Sequence, residues 1–500
     1  MLLLADKTVD IKRITATVIG EMNVIDLNNI EKYRENNRIE AKKATGGLPK
    51  SLWETYSSFA NTLGGIILLG VEEYSDKSLH PVNLPDPDEL VEEFWEIAND
   101  IQKVSTNILS YDDVYVQKIE EKNIIVITVP KAKRFDRPVY LDGSIHNSYR
   151  RNGEGDYRCT LDQINAMVRD SEIKTQDMNI IECMTASVFN TDSLHRYRIK
   201  MSTVKPNNRL QNLSDKDFLQ AIGAIEVGEN LLFHPTAAGL LMFGRSEFIK
   251  KEYPSYCLEY KEITQDDKHT IISSNLNSDC ENLYDFFIKV FEKISSEIKL
   301  TASIKSDITP ITTALQEALA NCLINADYYG SNGVVVMKDD ESITISNPGG
   351  FRVELDAARA GGISDPRNTA IMRMFNLIGI GSNDGFGISN IFSVWKSHGL
   401  VLPVIEESFK PENITLKLSF VPESKSTNTQ ILQNRPDIET DRQDAVISYI
   451  TDNITVTSKE ISELLGISHK KSKQLLHKLM AKDFVCLLYT SDAADDLTRV

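Results

Sequence analysis

The sequence contains few cysteines, and none of them belongs to a pattern that binds metal or builds a disulfide framework. The chain has six cysteines in 500 residues, with no Cys-x-x-Cys pair and no histidine cluster beside them. This spacing excludes a zinc-finger type of site and favours a reducing compartment, so we expect a cytoplasmic protein. The cysteines are Cys159, Cys183, Cys257, Cys280, Cys322 and Cys486.

Long apolar runs and P-loop sequences are also missing. No segment approaches the roughly 18 apolar residues that a membrane-spanning helix needs. The apolar residues 1–5 are too few, and too soon followed by charge, for a signal peptide. The Walker A pattern Gly-x4-Gly-Lys-Ser/Thr does not occur, and no repeat of about 20 to 50 residues recurs. We therefore expect no membrane contact and no P-loop chemistry.

Positive charge is scarce in this chain. Lysine and arginine number 55 against 72 aspartates and glutamates, which gives a formal net charge of −17. This balance excludes a protein that binds nucleic acid over its whole surface, so any such contact must come from local basic patches. The composition, 41% hydrophobic and 25% charged, is that of an ordinary globular protein, and the length suggests about three or four domains.

The most informative segment spans residues 312–420 and begins with an amphipathic helix. Four of its residues recur at intervals of four, three and four, which places them on one buried stripe of a helix. The stripe consists of Leu315, Leu319, Cys322 and Ala326. Glu317 and Asn321 lie off this stripe, one turn apart on the same side. A carboxylate and an amide in that arrangement suit a metal ion and a water, whereas a helical glutamate and asparagine four residues apart are also typical of a solvated helix face.

The rest of this segment alternates strands, glycine-rich turns and a second helix. Alternating apolar residues predict three strands, two of them joined as a hairpin. The predicted strands are 333–337, 342–346 and 414–420, and the second helix is 388–399. Asn347 and Gly349 follow the second strand. Gly381, Gly385 and Gly387 precede the second helix, where glycines leave backbone N–H groups open to phosphate.

In this order, the elements resemble the GHKL (Bergerat-type) ATPase fold of gyrase B subunits, MutL, histidine kinases and large heat-shock chaperones. The branch that these elements resemble is classified with the C-terminal region of RecG-like proteins, although no helicase P-loop is present. The resemblance implies an α/β sandwich that binds ATP and Mg²⁺, in which Glu317 activates the hydrolytic water and Asn321 holds the metal. By the same resemblance, the adenine is bordered by Asn347 and Gly349, the lid includes Arg367 and Asn368, and the phosphates are wrapped by Gly381, Gly385 and Gly387.

One residue departs from the pattern of that superfamily. Most members have aspartate, which recognises the adenine amino group, at the position of Asn347. An amide can accept the same hydrogen bond through its oxygen. The base preference of the site therefore stays open at this point. An alternative interpretation is that the GHKL-type segment is a scaffold that no longer binds nucleotide.

An N-terminal segment, residues 28–168, carries a second pattern. Glu40-Ala-Lys42 is followed by Asn61-Thr-Leu-Gly-Gly and by an apolar run, 66–71, that predicts a buried strand. This pattern resembles the Schlafen/AlbA-type (AlbA_2) nucleic-acid-binding domain, which implies an α/β fold.

The animal Schlafen branch of this family implies a nuclease site as well. By that resemblance, Glu35, Glu40 and Glu73 would be catalytic, with Glu35 and Glu40 as metal ligands, because three carboxylates can hold a divalent ion that activates water. A Glu–Lys ion pair on the strand is the alternative reading of Glu40 and Lys42.

The richest basic cluster of the chain flanks the strands predicted within 123–151. Six cations in a chain of negative net charge can create a local field that attracts phosphates, although a solvated loop is an equally good interpretation. The cluster contains Lys131, Lys133, Arg134, Arg137, Arg150 and Arg151. We take Lys42 together with Lys131, Lys133, Arg134, Arg150 and Arg151 as candidate nucleic-acid contacts.

Three short helical patterns after a polar linker resemble a winged helix. They cover 442–451, 458–465 and 469–480, with the turn spacing of a helix-turn-helix motif. The third pattern carries Lys470, Lys471 and Lys473, which fit a recognition helix in a major groove, while a protein-interaction module is the alternative. Residues 487–500 look like translated sequencing-adapter sequence that replaces the wing strands, so we leave them out of the fold prediction.

We therefore expect an α+β multidomain protein. The expected parts are an N-terminal segment (1–27), the Schlafen/AlbA-like domain (28–168), a connecting domain (169–300), the GHKL-type domain (301–421), a linker (422–438), the truncated winged helix (439–486) and the tail (487–500). The leading hypothesis is a bacterial, ATP-gated transcription regulator that binds DNA or RNA, and that forms a homo-oligomer as GHKL relatives often do. The alternative is a metal-dependent nuclease of a defence or toxin system with ATP as cofactor.

Overall fold

The computed structural model describes the chain in two compact units, residues 1–423 and 424–500. The described residues are 26–119, 121–263, 271–273, 280–298, 309–353, 355–381, 385–409, 411–423, 456–457, 486–488 and 497–499. Helices and strands mix throughout the first unit, which confirms the predicted α+β multidomain class.

The N-terminal module, defined here as residues 26–171, contains strands packed around a few helices. Its strands are β1 (Ile39–Lys42), β2 (Gly65–Leu69), β3 (Val71–Glu73), β4 (Leu79–Pro81), β5 (Val114–Ile119), β6 (Lys122–Val129), β7 (Tyr140–Leu141), β8 (Ser144–Asn152) and β9 (Gly155–Arg158). Its α-helices are α1 (Ser51–Ala60), α2 (Pro87–Ala98) and α3 (Leu161–Ser171). A four-stranded sheet of order β1, β2, β6, β5 forms its centre, with only β1 and β2 parallel.

The central sheet is buried on both faces. Ile67 and Leu69 belong to one hydrophobic cluster and Leu68 to another, on the opposite side of the strand. Alternate side chains of a strand point to opposite faces. This explains why β2 reads in the sequence as an uninterrupted apolar run.

Helix α1 is tied to the sheet by its C-terminal motif. Gly64 has a φ of +73°, and a Cβ at this position would lie 2.8 Å from the carbonyl oxygen of Val129. Only glycine tolerates both conditions. Asn61 donates from Nδ2 to the carbonyl oxygens of Val139 and Tyr149, and its Oδ1 accepts from the Val139 N–H. The Asn-Thr-Leu-Gly-Gly motif therefore has a structural role, because it fixes the C-terminal end of α1 to the neighbouring backbone.

The second module, residues 172–423, has more helices and a larger sheet. Its α-helices are α4 (Thr191–Val204), α5 (Asp215–Ala221), α6 (Ala237–Phe243), α7 (Ser246–Glu252), α8 (Leu283–Ile298), α9 (Thr309–Asn325), α10 (Leu355–Ala360), α11 (Thr369–Leu377) and α12 (Gly387–Ser397). Its strands are β10 (Ile225–Val227), β11 (Phe233–Pro235), β12 (Leu258–Ile263), β13 (Ile271–Ser273), β14 (Val334–Lys338), β15 (Ser342–Pro348), β16 (Val404–Phe409) and β17 (Glu412–Ser419).

One six-stranded sheet organises the second module, in the order β13, β12, β14, β15, β17, β16. Strands β12 and β14 are parallel, and the other neighbours are antiparallel. A single hydrophobic cluster extends from Ile181 to Phe420. The boundary that we expected at residue 300 therefore passes through one sheet and one core, because β12 and β13 precede it.

Helix α9 lies at the centre of the second module. It contacts α8, α12 and β15, and the side chains of its stripe, Leu315, Leu319 and Cys322, are all buried. The predicted hairpin forms between β14 and β15, and the second amphipathic helix, α12, buries Ile391 and Trp395. The strand pattern near residue 414 is β17.

The second unit is described as backbone at three short strands. These are β18 (Val456–Thr457), β19 (Cys486–Leu488) and β20 (Leu497–Arg499), which pair antiparallel in the order β18, β20, β19. The predicted helices at 442–480, with Lys470, Lys471 and Lys473, lie outside the described residues, as do residues 1–25 and most of the linker. The tail 487–500 supplies β20. No described helix is long and apolar enough to cross a membrane.

Candidate functional site

A cavity of about 150 Å³ opens between α9, the sheet and the start of α12. That volume has room for several waters or a polar ligand. Its wall combines apolar side chains from β15 to β17, such as Ile345 and Ile414, with convergent polar groups. Among the predicted nucleotide residues, those that line it are Glu317, Asn321, Asn347, Arg367, Gly381, Gly385 and Gly387.

Glu317 and Asn321 project from α9 to the first residue of α12. A Cβ added at Gly387 would lie 2.5 Å from Glu317 Oε1 and 2.9 Å from Asn321 Nδ2. The absence of a side chain at Gly387 therefore lets both groups approach the helix end. Burial raises the pKa of Glu317, and a hydrogen bond from Asn321 opposes that rise. A carboxylate with a raised pKa is better suited to accept a proton from water.

The N-terminus of α12 is suited to bind an anion. Its N-cap residue, Phe386, makes no side-chain cap, so this residue leaves the leading N–H groups available. Free N–H groups and the positive end of the helix dipole favour phosphate. Gly385, with a φ of +71°, packs so closely on Ile363 that a Cβ would lie 2.6 Å from its carbonyl oxygen. This contact joins the glycine turn to the opposite wall.

Asn347 lines the same cavity and is buried. Its Nδ2 donates to the carbonyl oxygen of Pro348 at 3.1 Å. Rotating the amide would bring two acceptor oxygens together, so the orientation is fixed and Oδ1 is the group left to accept a hydrogen bond. The side chain that replaces the usual aspartate thus retains an acceptor.

Arg367 and Asn368 have a bracing role that the resemblance does not predict. The Arg367 guanidinium donates to the carbonyl oxygens of Asn325 and Gly350, and it pairs with Asp170. A Cβ at Gly349 would lie 2.8 Å from this guanidinium. Gly349 therefore packs directly against the Arg367 side chain. Asn368 donates to carbonyl oxygens at the end of α9, at residues 324 and 326. Both side chains are buried and join α9 to the following segments.

The structure does not build the predicted three-carboxylate metal site. Glu40 is held by Lys42 at 2.8 Å and by Arg151 at 2.7 Å, which is the ion-pair alternative. Burial raises the pKa of Glu35, the Ala41 N–H opposes this rise, and the nearby Glu40 and Glu73 carboxylates add to it. In the part of the chain that the structure describes, no three His, Cys, Asp or Glu side chains form a group able to hold a metal ion.

Most of the predicted basic cluster is buried inside the first unit. Lys131 pairs with Glu407, Arg134 with Asp365, and Arg150 with Glu412, while Arg151 pairs with Glu40 and Asp156. In this arrangement these cations are not available to a nucleic-acid backbone, because buried charges require partners and acidic side chains of the same chain supply them. Of the cluster, Lys133 is exposed.

Arg150 and Glu412 form a bidentate pair. Two parallel bonds of 3.1 and 3.2 Å join the guanidinium to the carboxylate. Burial alone would raise the pKa of Glu412, but Arg150 holds it below its usual value. Sequence reasoning missed Glu407 and Glu412 because each lies more than 250 residues from its partner, and the local pattern gives no sign of the pairing.

Three family models match separate parts of the chain. Residues 35–160 match "Schlafen, AlbA_2", residues 165–259 match a "Domain of unknown function (DUF8451)", and residues 331–416 match "Putative ATP-dependent DNA helicase recG C-terminal". The first match lies within the N-terminal module. The third includes Asn347 and the α12 end of the cavity, and begins after α9.

Two solved structures are similar to the chain. A crystal structure of a protein from Corynebacterium diphtheriae is 13% identical, with a TM-score of 0.44, and the alignment covers 93% of this chain and 95% of that chain. The solution structure of the N-terminal domain of a RecG-related protein from Nitrosomonas europaea is 30% identical, with a TM-score of 0.21, and the alignment covers 26% of this chain and 89% of that chain. No curated protein matches the chain.

Proposed function

We propose that this protein, which contains a Schlafen AlbA_2 domain and a recG C-terminal-type ATPase domain, is a transcription regulator whose DNA binding is controlled by ATP. The two domains indicate a nucleic-acid-related, ATP-binding protein. The observation that carries the proposal is the convergence of Glu317 and Asn321 on Gly387 at the start of α12. A carboxylate, an amide and a helix N-terminus then share one cavity with Asn347.

The polar groups of the cavity fit a magnesium–nucleotide. Mg²⁺ is usually bound through a few protein oxygens together with substrate phosphates, and Asn321, whose side-chain amide carries one such oxygen, lies beside the N-terminus of α12. When bound, the metal would neutralise charge on the phosphates. Glu317 would accept a proton from the attacking water, and Asn347 Oδ1 would accept a hydrogen bond from the amino group of adenine.

The first experiment measures Mg-ATP binding and turnover by the full chain and by three variants. Asn321→Ala should lose binding, because the metal loses its protein ligand, whereas Glu317→Ala should keep binding and lose hydrolysis. Thr313→Ala alters an exposed side chain of the same helix and should change neither quantity. If the wild type binds no nucleotide, the cavity belongs to a scaffold and the proposal fails.

The regulatory part requires a separate measurement. DNA affinity is measured at one fixed salt concentration, with and without Mg-ATP, because phosphate contacts make affinity strongly salt-dependent. A coupling free energy of about 1–3 kcal/mol, or about 5- to 150-fold in affinity, is the usual size of such control. Equal DNA affinity in the two conditions would refute control by ATP.

A further inference from the structure

Two stretches of the cavity wall are attached to the N-terminal module through carboxylates. The stretches are residues 350–353 and 363–366. The cations that hold them, Lys131 and Arg134, are not part of the cavity lining. The wall is thus shaped in part by residues that a ligand in the cavity would not touch.

The first attachment runs from Lys131 through Glu407 to Phe351. Lys131 Nζ lies 3.2 Å from both carboxylate oxygens of Glu407, and each of these side chains is only 12% exposed. The same Oε1 accepts the Phe351 N–H at 2.8 Å. A Cβ at Gly350 would lie 2.6 Å from this oxygen. The backbone at 350–351 therefore rests directly on a carboxylate that Lys131 fixes.

The second attachment joins Arg134 to Asp365. Arg134 is anchored at the end of α3, where its Nη1 donates to the carbonyl oxygens of Asp170 and Glu172 at 2.7 and 2.9 Å. Its Nε donates to Asp365, which lines the cavity. A guanidinium held on one side by two carbonyl groups is a rigid point of attachment for the 363–366 stretch.

We propose that Lys131 and Arg134 are positioning residues of the nucleotide site, and that the N-terminal module sets nucleotide affinity through them. This inference rests on the proposed function of the cavity. Lys131 acts through Glu407, and Arg134 acts through Asp365. Binding linkage is reciprocal, so a nucleotide that requires the ordered wall strengthens both attachments in return. Nucleotide binding would thus be coupled energetically to the contacts between the two modules.

The test compares Lys131→Met with Lys131→Arg and with Lys103→Gln, a control at an exposed lysine of the same module whose partner, Asp142, is also exposed. The full chain is titrated with Mg-ATP, and steady-state turnover is followed in parallel. Loss of one buried charge contact should weaken binding by about five- to tenfold, on the scale of tenfold per 1.4 kcal/mol. KM should rise with little change in kcat, because Lys131 acts through Glu407 on the backbone at Phe351, whereas Glu317 and Asn321 contact Gly387.

Rescue distinguishes positioning from general destabilisation. Lys131→Arg keeps a positive charge that can bind the Glu407 carboxylate, so it should restore affinity to within about twofold of the wild type. Lys103→Gln should have the affinity of the wild type. A folded Lys131→Met protein with unchanged affinity and KM would overturn the inference while leaving the proposed function intact. Wild-type protein that binds no Mg-ATP would instead overturn the proposed function, and the inference with it.

A second variant covers the case in which Lys131→Met does not fold. Glu407→Gln keeps an acceptor for the Phe351 N–H but removes the charge that binds Lys131, and it should also weaken Mg-ATP binding. Hydrogen exchange of peptides covering 350–353 should be faster in this variant than in the wild type without nucleotide. Exchange and affinity that both stay at wild-type values in Glu407→Gln would overturn the inference.

Discussion

A single methyl group at residue 387 should separate nucleotide binding from turnover. In Gly387→Ala, the new Cβ would lie 2.5 Å from Glu317 Oε1, about 0.9 Å closer than the 3.4 Å at which ordinary contact begins. The carboxylate must therefore retreat by nearly that distance, and Asn321, at 2.9 Å, must also move. A misplacement of about 1 Å in a reacting group can reduce the rate about 100-fold.

The fold should survive this change. Alanine is favoured over glycine in helices by up to about 1 kcal/mol, and overpacking costs about 1–3 kcal/mol. The two effects oppose each other, so the loss of unfolding free energy should stay within about 2 kcal/mol. The backbone of Gly387 is not in the left-handed region, so the substitution adds no strain of that kind.

The assay combines phosphate release with calorimetric Mg-ATP titration and urea unfolding. We expect turnover to fall by about two orders of magnitude, with a smaller loss of affinity. Asn390→Ala, at an exposed position of the same helix, is the control and should behave as the wild type. A Gly387→Ala protein that hydrolyses ATP at the wild-type rate would refute the assignment of Glu317 and Asn321.

Two further predictions follow from buried charges. Burial raises the pKa of Glu317, so protonation of this carboxylate should abolish turnover as the pH falls. The loss should occur at a pH above the ordinary glutamate pKa of about 4.3. A pH–rate profile with no such inflection would contradict this role. Arg151→Met would remove one of the two cations that hold Glu40 and the cation that holds Asp156, and urea unfolding should show a loss of about 3–5 kcal/mol. Arg158→Met, at an exposed arginine of the same module, should leave the unfolding midpoint close to that of the wild type.

The sequence predicts well those features that depend on neighbouring residues. The spacing of Leu315, Leu319 and Cys322 predicts a buried helical stripe, and this stripe is buried in α9. Glu317 and Asn321 stand one turn apart on a single helix, so their proximity also follows from local periodicity. The resemblance to a known fold predicts that they share a nucleotide site with Gly387, and their contact with the start of α12 is seen in the structure.

Features that depend on distant pairs could not be predicted in this way. A cluster of cations such as Lys131 and Arg150 has the same local pattern whether it faces solvent, phosphate or carboxylates. Its partners, Glu407 and Glu412, lie on another strand pair far along the chain. The same reason explains why the expected domain boundary at residue 300 divides one sheet. Leu258 pairs in parallel with Val334, and local periodicity gives no information about a pairing between segments so far apart.

The interleaved sheet of the second module has a consequence for dissecting the protein. A fragment that begins at residue 301 would lack β12, and the β14 edge that β12 normally covers would be exposed. Uncovered strand edges recruit other chains, so such a fragment should tend to self-associate. The pairing also joins residues far apart in sequence, which slows folding because long loops must close first. During synthesis, β12 must therefore wait for β14 to emerge before the two strands can pair.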